Sequence, residues 1–459
     1  MLGKKENEYL TRVGPGTPMG EALRRFWLPA GLSIEVEPDG SPVRWRLLCE
    51  DLVAFRDTNG KVGVMEPQCA HKRAGLFWGR NEECGLRCTY HGWKYDVDGN
   101  CVDMPNEPPD SNFKNKVKLQ VYPTREKAGV IWIYMGPADK QPAELPGMEW
   151  VNLPEGYQHV TKWLQRTNWV QGMEGEIDTT HASFVHSGLR GAQSYQIGAP
   201  AYQMMSTQTA SNLSPGVNYL QLDSAPRLSV KEMGYGFASG ARRLGAETDN
   251  GYYWRVTHWL YPFYSLIAGG AGYGLDGGRC WMPIDDEHTL TFGYAWRTDR
   301  PFTEEEGAKI WEGAVFPCRV TRGPFTLKDG GIIDTWLPIA TKENDYLIDR
   351  EMQRTMNYTG LWSTNEQDRS VQESMGPIVD RSREHLGASD IAAIASRRLL
   401  IKMARDLEKG IEPACVQNPD VFRVRTIHLV SPLTTFDEIL KERDQELNLV
   451  PIGSEVASE

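Results

Sequence analysis

Apolar residues recur along this chain with two different periods, and the change from one to the other divides it. Between about residues 42 and 136, short runs alternate with turns: VRWRLLC, LVAFRD, KVGVME, KYDVDGNCV and GVIWIYMG, punctuated by TNG and VDGN. Runs rich in β-branched and aromatic residues, broken by Asn-Gly and Asp-Gly, predict strands joined by tight turns. They describe a small all-β domain. Upstream, Thr17-Pro18 opens a short helix over TPMGEALRRFW, because threonine caps and proline suits the first helical turn. The Pro-rich polar stretch PADKQPAELPG (137–147) reads as a linker.

Beyond the linker the pattern lengthens. An acidic helical segment over about 168–187 precedes the strand-like runs RLSVKEMGYGFASGARR, YYWRVTHWLYPFYSLIA and TLTFGYAWR. SDIAAIASRRLLIKMARDLEKG then carries apolar residues at helical spacing, with Ser389 or Asp390 as cap and Gly410 as stop. The second part is therefore predicted to be α+β, an antiparallel sheet with helices packed on it. Residues 188–226, polar and rich in Gly and Ser, fit no element, and a long loop there would be functional or mobile.

Composition narrows the classes. At 459 residues, two to four domains are expected. The balance of 50 basic against 61 acidic residues gives −11, which disfavours nucleic acid and anionic membrane as partners. The N-terminus lacks an apolar signal region, and no run approaches the ~18 apolar residues that span a bilayer. Eight cysteines in this length are not a disulfide scaffold. They predict a cytoplasmic protein with reduced thiols, where clustered cysteines bind metal or catalyse.

Such a cluster is present. QCAHKRAGLFWGRNEECGLRCTYHGWKYDVDGN offers Cys69-x-His71 and Cys88-x-x-His91. Structural zinc commonly uses two Cys and two His, but groups Cys with Cys and His with His. Here each loop supplies one of each. That is what a Rieske [2Fe–2S] cluster needs, since one iron takes two Cys and the other two His. Gly75, Gly85, Gly92 and Gly99 would allow close backbone approach. Cys84 and Cys101 read as buried structural residues, and Cys49, Cys280, Cys318 and Cys415 have no role assigned.

A second constellation is TNWVQGMEGEIDTTHASFVH, with Asp178-x-x-His181-x4-His186. Taken alone, it reads as a solvated acidic helix with incidental histidines. On an ideal helix, positions five apart diverge by about 140°, so the two imidazoles meet one metal only if the helix breaks between them. Beside a cluster that delivers single electrons, the set points instead to mononuclear iron held by two His and a carboxylate, the site that uses electrons with O2.

With these residues in view, the chain resembles the catalytic (alpha) subunit of the Rieske non-haem iron ring-hydroxylating oxygenases, most of all their phthalate-dioxygenase-like branch. The resemblance spans most of the chain through RVGPGTPMGEALRRFWLP, the two Cys-His loops, NWVQGMEGEIDTTHASFVH and QDRSVQESMGPIVDRSREHLGASD. It implies an N-terminal helical segment (1–40) packing on the catalytic domain, an all-β Rieske domain (41–140) and a catalytic domain of helix-grip type (141–459). By resemblance, His181 and His186 bind iron. Asp178 links iron to cluster by accepting a hydrogen bond from His91 of a neighbouring subunit. The third ligand is a C-terminal carboxylate, best matched by Asp368, with Glu366, Glu373 and Asp380 as competitors. A homotrimer or dimer of trimers follows. The first cluster loop departs from the family's Cys-Pro-His-Arg-Gly, reading Cys69-Ala70-His71-Lys72-Arg73.

GGAGYG (269–274) lacks the spacing of a dinucleotide-binding loop. A separate flavin and iron–sulfur reductase is therefore implied as electron source. The substrate implied is an aromatic small molecule, often an acid in this branch. Arg227, Arg242, Arg243 and Arg255 are candidates to hold its carboxylate. Trp254, Trp259, Phe263 and Trp296 are candidates for the pocket or the sheet core. Ring hydroxylation, with O-demethylation through methoxy hydroxylation as the alternative, fits the same iron. A Rieske electron carrier without catalysis and a zinc-stabilised interaction protein are the readings from other classes.

Overall fold

In the computed structural model, which describes residues 2–189, 213, 218–268, 275–313 and 318–448, the period-two runs of the first part form three small antiparallel sheets. One joins Val43–Leu47, Glu50–Arg56 and Val62–Met65; a second joins Arg80–Glu82, Gly85–Arg87, Lys94–Tyr95 and Cys101–Asp103. The third brings Trp27–Leu32 beside Val130–Tyr134, with Thr124–Lys127 on its other edge. VIWIY is buried throughout because it is the middle strand of three. Cys84 does not lie in the core as expected. It is half-buried in the tight turn between Glu82 and Gly85, where Glu83 and Cys84 both take positive φ. All eight cysteines are free.

The second part is built on one antiparallel sheet in the order Gln158–Gln165, Thr289–Trp296, Asp276–Pro283, Tyr264–Leu266, Tyr252–Leu260, Gly236–Leu244, Arg227–Met233. Tyr264–Leu266 covers only one end of Tyr252–Leu260, and Ile427–Ser431 fills the rest of that edge. TLTFGYAW (289–296) is buried at every position, because it has strands on both edges and layers on both faces.

The helix Trp169–Ile177 lies directly on this sheet, capped by the Asn168 side chain at Val170 N. A Cβ on Gly172 would stand 2.2 Å from the Trp281 ring, and one on Gly175 would stand 2.3 Å from Gln372 Nε2. The two glycines therefore set how closely the helix approaches the sheet below and the helix Thr364–Ser374 beside it. The acidic helical segment expected over 168–187 ends early, at Ile177, and a single 3-10 turn follows at His181–Ser183.

The long helix Ile391–Leu407 packs on Lys4–Thr11 and Pro18–Leu23. Thr17 caps the latter through Gly20 N at 3.2 Å, as expected. Asp390 does not cap the long helix. Its carboxylate turns back to Gly387 N at 2.6 Å. Among the described residues no helix is long and apolar enough to cross a membrane. The 188–226 loop lies largely outside the described residues, as does GGAGYG (269–274).

A buried ion pair ties the two parts together. Lys162, on the first strand of the large sheet, is fully buried against Glu35 at 2.5 Å. Glu35 also accepts from Trp45 Nε1 and Trp336 Nε1, each at 3.1 Å. Every lone pair of this carboxylate is thus committed, which is the condition for burying it. Lys162→Met should destabilise the protein by about 3–5 kcal/mol by leaving Glu35 charged and alone, and adding Glu35→Gln should recover much of that loss. Urea-unfolding midpoints of the single and double variants check this.

Candidate metal centres

The two Cys-His loops are built alike. Cys69 N donates to Ala74 O at 2.8 Å and Arg73 N to Cys69 O at 3.0 Å; Cys88 N donates to Trp93 O at 2.8 Å and Gly92 N to Cys88 O at 3.0 Å. Each loop closes on a residue four beyond its cysteine with positive φ, +79° at Gly92 and +59° at Arg73. The first loop therefore needs its left-handed residue at Arg73, not at Gly75, and pays on the order of 1–2 kcal/mol for a side chain there. Arg73 is held in place by Glu66 at 2.7 Å and Gln68 Oε1 at 2.9 Å.

The loops sort their donors. Both thiols are buried and near enough to interact, and Cys69 Sγ meets the Tyr95 hydroxyl at 3.2 Å. Burial raises the Cys69 thiol pKa, partly offset by the Tyr95 bond. Both imidazoles stand at the rim, 4.4 Å apart by ring centroid, with His71 stacked on Trp93 at 4.5 Å. The Nδ1 atoms of His71 and His91 are buried without a hydrogen-bond partner. Two paired thiols on one side and two paired, unsatisfied imidazole nitrogens on the other fit a two-metal group. Among the described residues, no three of these four donors lie within 4.8 Å of one another. One tetrahedral zinc, with bonds of about 2.0–2.3 Å, would draw them within ~4 Å.

The second constellation forms where the helix breaks. Asp178 is the first residue beyond the helix, with extended φ/ψ. Its Oδ1 accepts from Thr180 N at 2.7 Å and Thr180 Oγ1 at 2.6 Å, leaving Oδ2 facing His181 Nδ1 at 3.6 Å. His181 and His186 then meet with their Nε2 atoms 3.2 Å apart. Asp368 reaches in from the helix Thr364–Ser374, placing Oδ1 3.4 Å from His181 Nε2 and 3.0 Å from His186 Nε2. Gln367 Oε1 receives His186 Nδ1–H at 2.8 Å, which fixes the tautomer and leaves Nε2 as the lone-pair donor. Among the described residues, His181, His186 and Asp368 are the one set of three such side chains whose ligand atoms all lie within 4.8 Å.

The three competitors for Asp368 are occupied elsewhere. Glu366 pairs with Arg319, Glu373 accepts from Arg166 N and Tyr346, and Asp380 caps Ser382. Glu366 lies two residues from Asp368 on one helix, about 200° around it.

Electrostatics fit a cation at the centre. Burial disfavours a charged His181, yet the neighbouring Asp178 and Asp368 carboxylates outweigh it and raise that imidazole to about 10. Burial likewise opposes the Asp368 charge, but the two histidines hold its carboxyl well below the usual range.

The four candidate arginines divide by sheet parity. Arg227, Arg242 and Trp254 are partners across three adjacent strands and share one face, where Trp254 packs on Phe436. Arg243 and Arg255 take the other face. Arg243 Nη2 donates to Thr179 O at 2.8 Å, and Arg255 Nη1 to Thr179 Oγ1 at 3.4 Å. Thr179 follows Asp178, so both cations stand beside the second constellation. Arg243 is buried with Nη1 unpartnered, and burial together with the Arg255 charge pushes it down to about 10. Among the described residues neither arginine makes an ion pair. Trp259 bonds Met173 Sδ, Trp296 bonds Glu149, and Phe263 is fully buried, so all three are core. Sequence patterns did not single out Arg279, whose Nη1 lies 3.2 Å from Asp368 Oδ2; it sits inside an apolar run without any motif.

Residues 26–123 match the family described as "Rieske [2Fe-2S] domain", and residues 133–430 match "LigXa C-terminal domain like". The chain is 39% identical to the 3-chlorobenzoate-3,4-dioxygenase oxygenase subunit of Comamonas testosteroni, over 93% of this chain and 95% of that one. It is also 39% identical to the phthalate 4,5-dioxygenase oxygenase subunit of Pseudomonas putida, over 89% and 88%. In fold it is similar to dicamba monooxygenase bound to dicamba, with a TM-score of 0.54 at 16% identity over 84% of this chain and 99% of that one.

Proposed function

This chain belongs to the oxygenase (alpha) subunits of the Rieske non-haem iron oxygenases, and from that premise we propose that it hydroxylates an aromatic carboxylate. Arg243 and Arg255 carry the reading. Two guanidiniums without a carboxylate, one fully buried, favour an anion between them and the second constellation. The names of both 39%-identical relatives point the same way, each to a benzene carboxylate.

Cys69, Cys88, His71 and His91 would hold the [2Fe–2S] cluster; His181, His186 and Asp368 would hold the mononuclear iron. When bound, the first supplies single electrons and the second reacts O2 with the substrate. The protein's part is to hold donors and substrate. Asp178 and Gln367 orient the imidazoles, and Arg243 and Arg255 anchor the acid so that its ring faces the site. The electrons come from a separate flavin and iron–sulfur reductase.

The chain would work as a homotrimer, with the cluster tip of one subunit covering the iron site of the next. Among the described residues, the hydrogen bonds and ion pairs of residues 66–92 stay within the first 120 residues, which suits a cluster tip turned toward another subunit. Tyr90 at the tip is exposed, as are Phe184 and Tyr358, which meet beside His181 and His186. Apolar rings left in water on both surfaces suit a subunit contact.

Purified protein, supplied with such a reductase and NAD(P)H, should consume O2 with benzoate- or phthalate-type acids. A product gaining two oxygens and two hydrogens marks dihydroxylation; loss of a methyl group as formaldehyde marks O-demethylation. Spectra of a Rieske cluster with no O2 consumption on any acid would leave the electron-carrier reading. Arg255→Gln should raise KM for the acid about 10- to 100-fold, the worth of a charged hydrogen bond. The same variant should leave KM for the corresponding amide within about threefold of the parent protein, and equal losses on both would remove the anchoring role.

A further inference from the structure

Arg279 projects from the middle of Asp276–Pro283 into the space beneath the helix Trp169–Ile177. Its partners on the flanking strands are Gly293 and Ser265, both small, which leaves room for a guanidinium inside the sheet layer. The rings of Trp163 and Trp281 stand 6.0 and 5.9 Å from its Cζ. Its side chain is 4% exposed, and those of its carboxylate neighbours Glu176 and Asp368 are 1% and 9% exposed. Nη1, which carries two N–H groups, donates to Glu176 Oε2 and, at 3.2 Å, to Asp368 Oδ2.

The two oxygens of Asp368 are thereby given different tasks. Oδ1 faces the Nε2 atoms of both histidines, while Oδ2 faces away from them into Arg279. A carboxylate without this contact is free to turn and offer both oxygens to a metal.

We propose that Arg279, itself held by Glu176, is the positioning residue that makes Asp368 a one-oxygen ligand, keeping a coordination position open for O2. The inference rests on His181, His186 and Asp368 being the ligand set. Its physical warrant is that partners of a ligating carboxylate set its orientation and typically alter metal affinity or activity by about 10–100-fold when removed.

The test loads the purified protein with Fe(II), and separately with Co(II) as a visible probe, in the parent form, Arg279→Gln, Arg279→Lys, Glu176→Gln and Asp368→Ala. In Arg279→Gln the Fe(II) dissociation constant should rise about 10- to 100-fold. Its Co(II) absorption should weaken, as it does when coordination number rises. Arg279→Lys should recover most of the affinity, and Glu176→Gln should fall between. Parent-like affinity and Co(II) absorption in Arg279→Gln would overturn the proposal. If Arg279→Gln fails to fold, Glu176→Gln decides: a weakened Co(II) spectrum supports the proposal, and an unchanged one overturns it. Parent protein that binds neither metal, or Asp368→Ala that binds both as the parent does, would overturn the ligand set, a failure separable from that of Arg279 alone.

Discussion

Asp368→Ala should lose one iron per chain and reduce turnover to background while the Rieske visible and EPR spectra stay as they are. The carboxylate is the point where the site is assembled: its Oδ1 lies 3.4 and 3.0 Å from the two histidine Nε2 atoms. Without it the imidazoles retain their outer partners, Asp178 and Gln367, but only two donors remain where the facial arrangement needs three. His181→Ala and His186→Ala should give the same result. The cluster should not respond, because its ligands and the apolar core around them, from Val53 to Leu119, form a separate set of contacts. Iron analysis and absorption spectra on the same samples check both halves. Iron retained in Asp368→Ala, and lost in Asp380→Ala, would move the third ligand to Asp380, although that carboxylate is committed to Ser382.

In Asp178→Asn both metals should remain, but turnover should fall about 10- to 100-fold. Asp178 holds its charge against burial through His181 and Thr180, which keep its carboxyl below the ordinary range. One oxygen is taken by Thr180 and the other faces His181 Nδ1. An asparagine that keeps its carbonyl on Thr180 must present an NH2 to an imidazole N–H, donor against donor. The link between the two centres would break while the ligands stay in place. Rapid mixing of reduced protein with O2 and substrate should show slow oxidation of the cluster, at parent iron content. If the link crosses a subunit boundary, Cys69→Ala subunits mixed with His186→Ala subunits should recover part of the activity lost by each alone. An intact mixed trimer without recovery would mean that electrons pass within one chain.

The sequence made most of the first domain legible. Its hairpins follow from period-two runs and Asn-Gly or Asp-Gly turns, which act between near neighbours. The one-Cys-one-His composition of each loop is likewise local, and it separated a two-metal cluster from zinc before any coordinates. The second site was half legible. Asp178, His181 and His186 lie within nine residues, and the 140° mismatch between the histidines already required a break in the helix. Asp178 and His181, however, do not meet through helical spacing, as their i, i+3 separation would suggest, because the helix ends at Ile177 and they meet across a turn.

Sequence by itself therefore determined the two metal chemistries and the two-domain order, because both are carried by residues close together in the chain. Tertiary structure alone brought one carboxylate of the four to the two histidines and set which arginines lie beside them. Asp368 was one acid among four until the close contact at Gly175 brought its helix against Trp169–Ile177 and left the other three paired elsewhere. Arg242 and Arg243 are adjacent in sequence, yet strand parity sends one to Thr434 and the other to Thr179. Arg279 had no signal at all, since the carboxylates that hold this buried cation, Glu176 and Asp368, come from distant positions in the chain. Such convergence, between positions about 90 to 190 residues apart, depends on strand register and helix packing, and no local pattern records it.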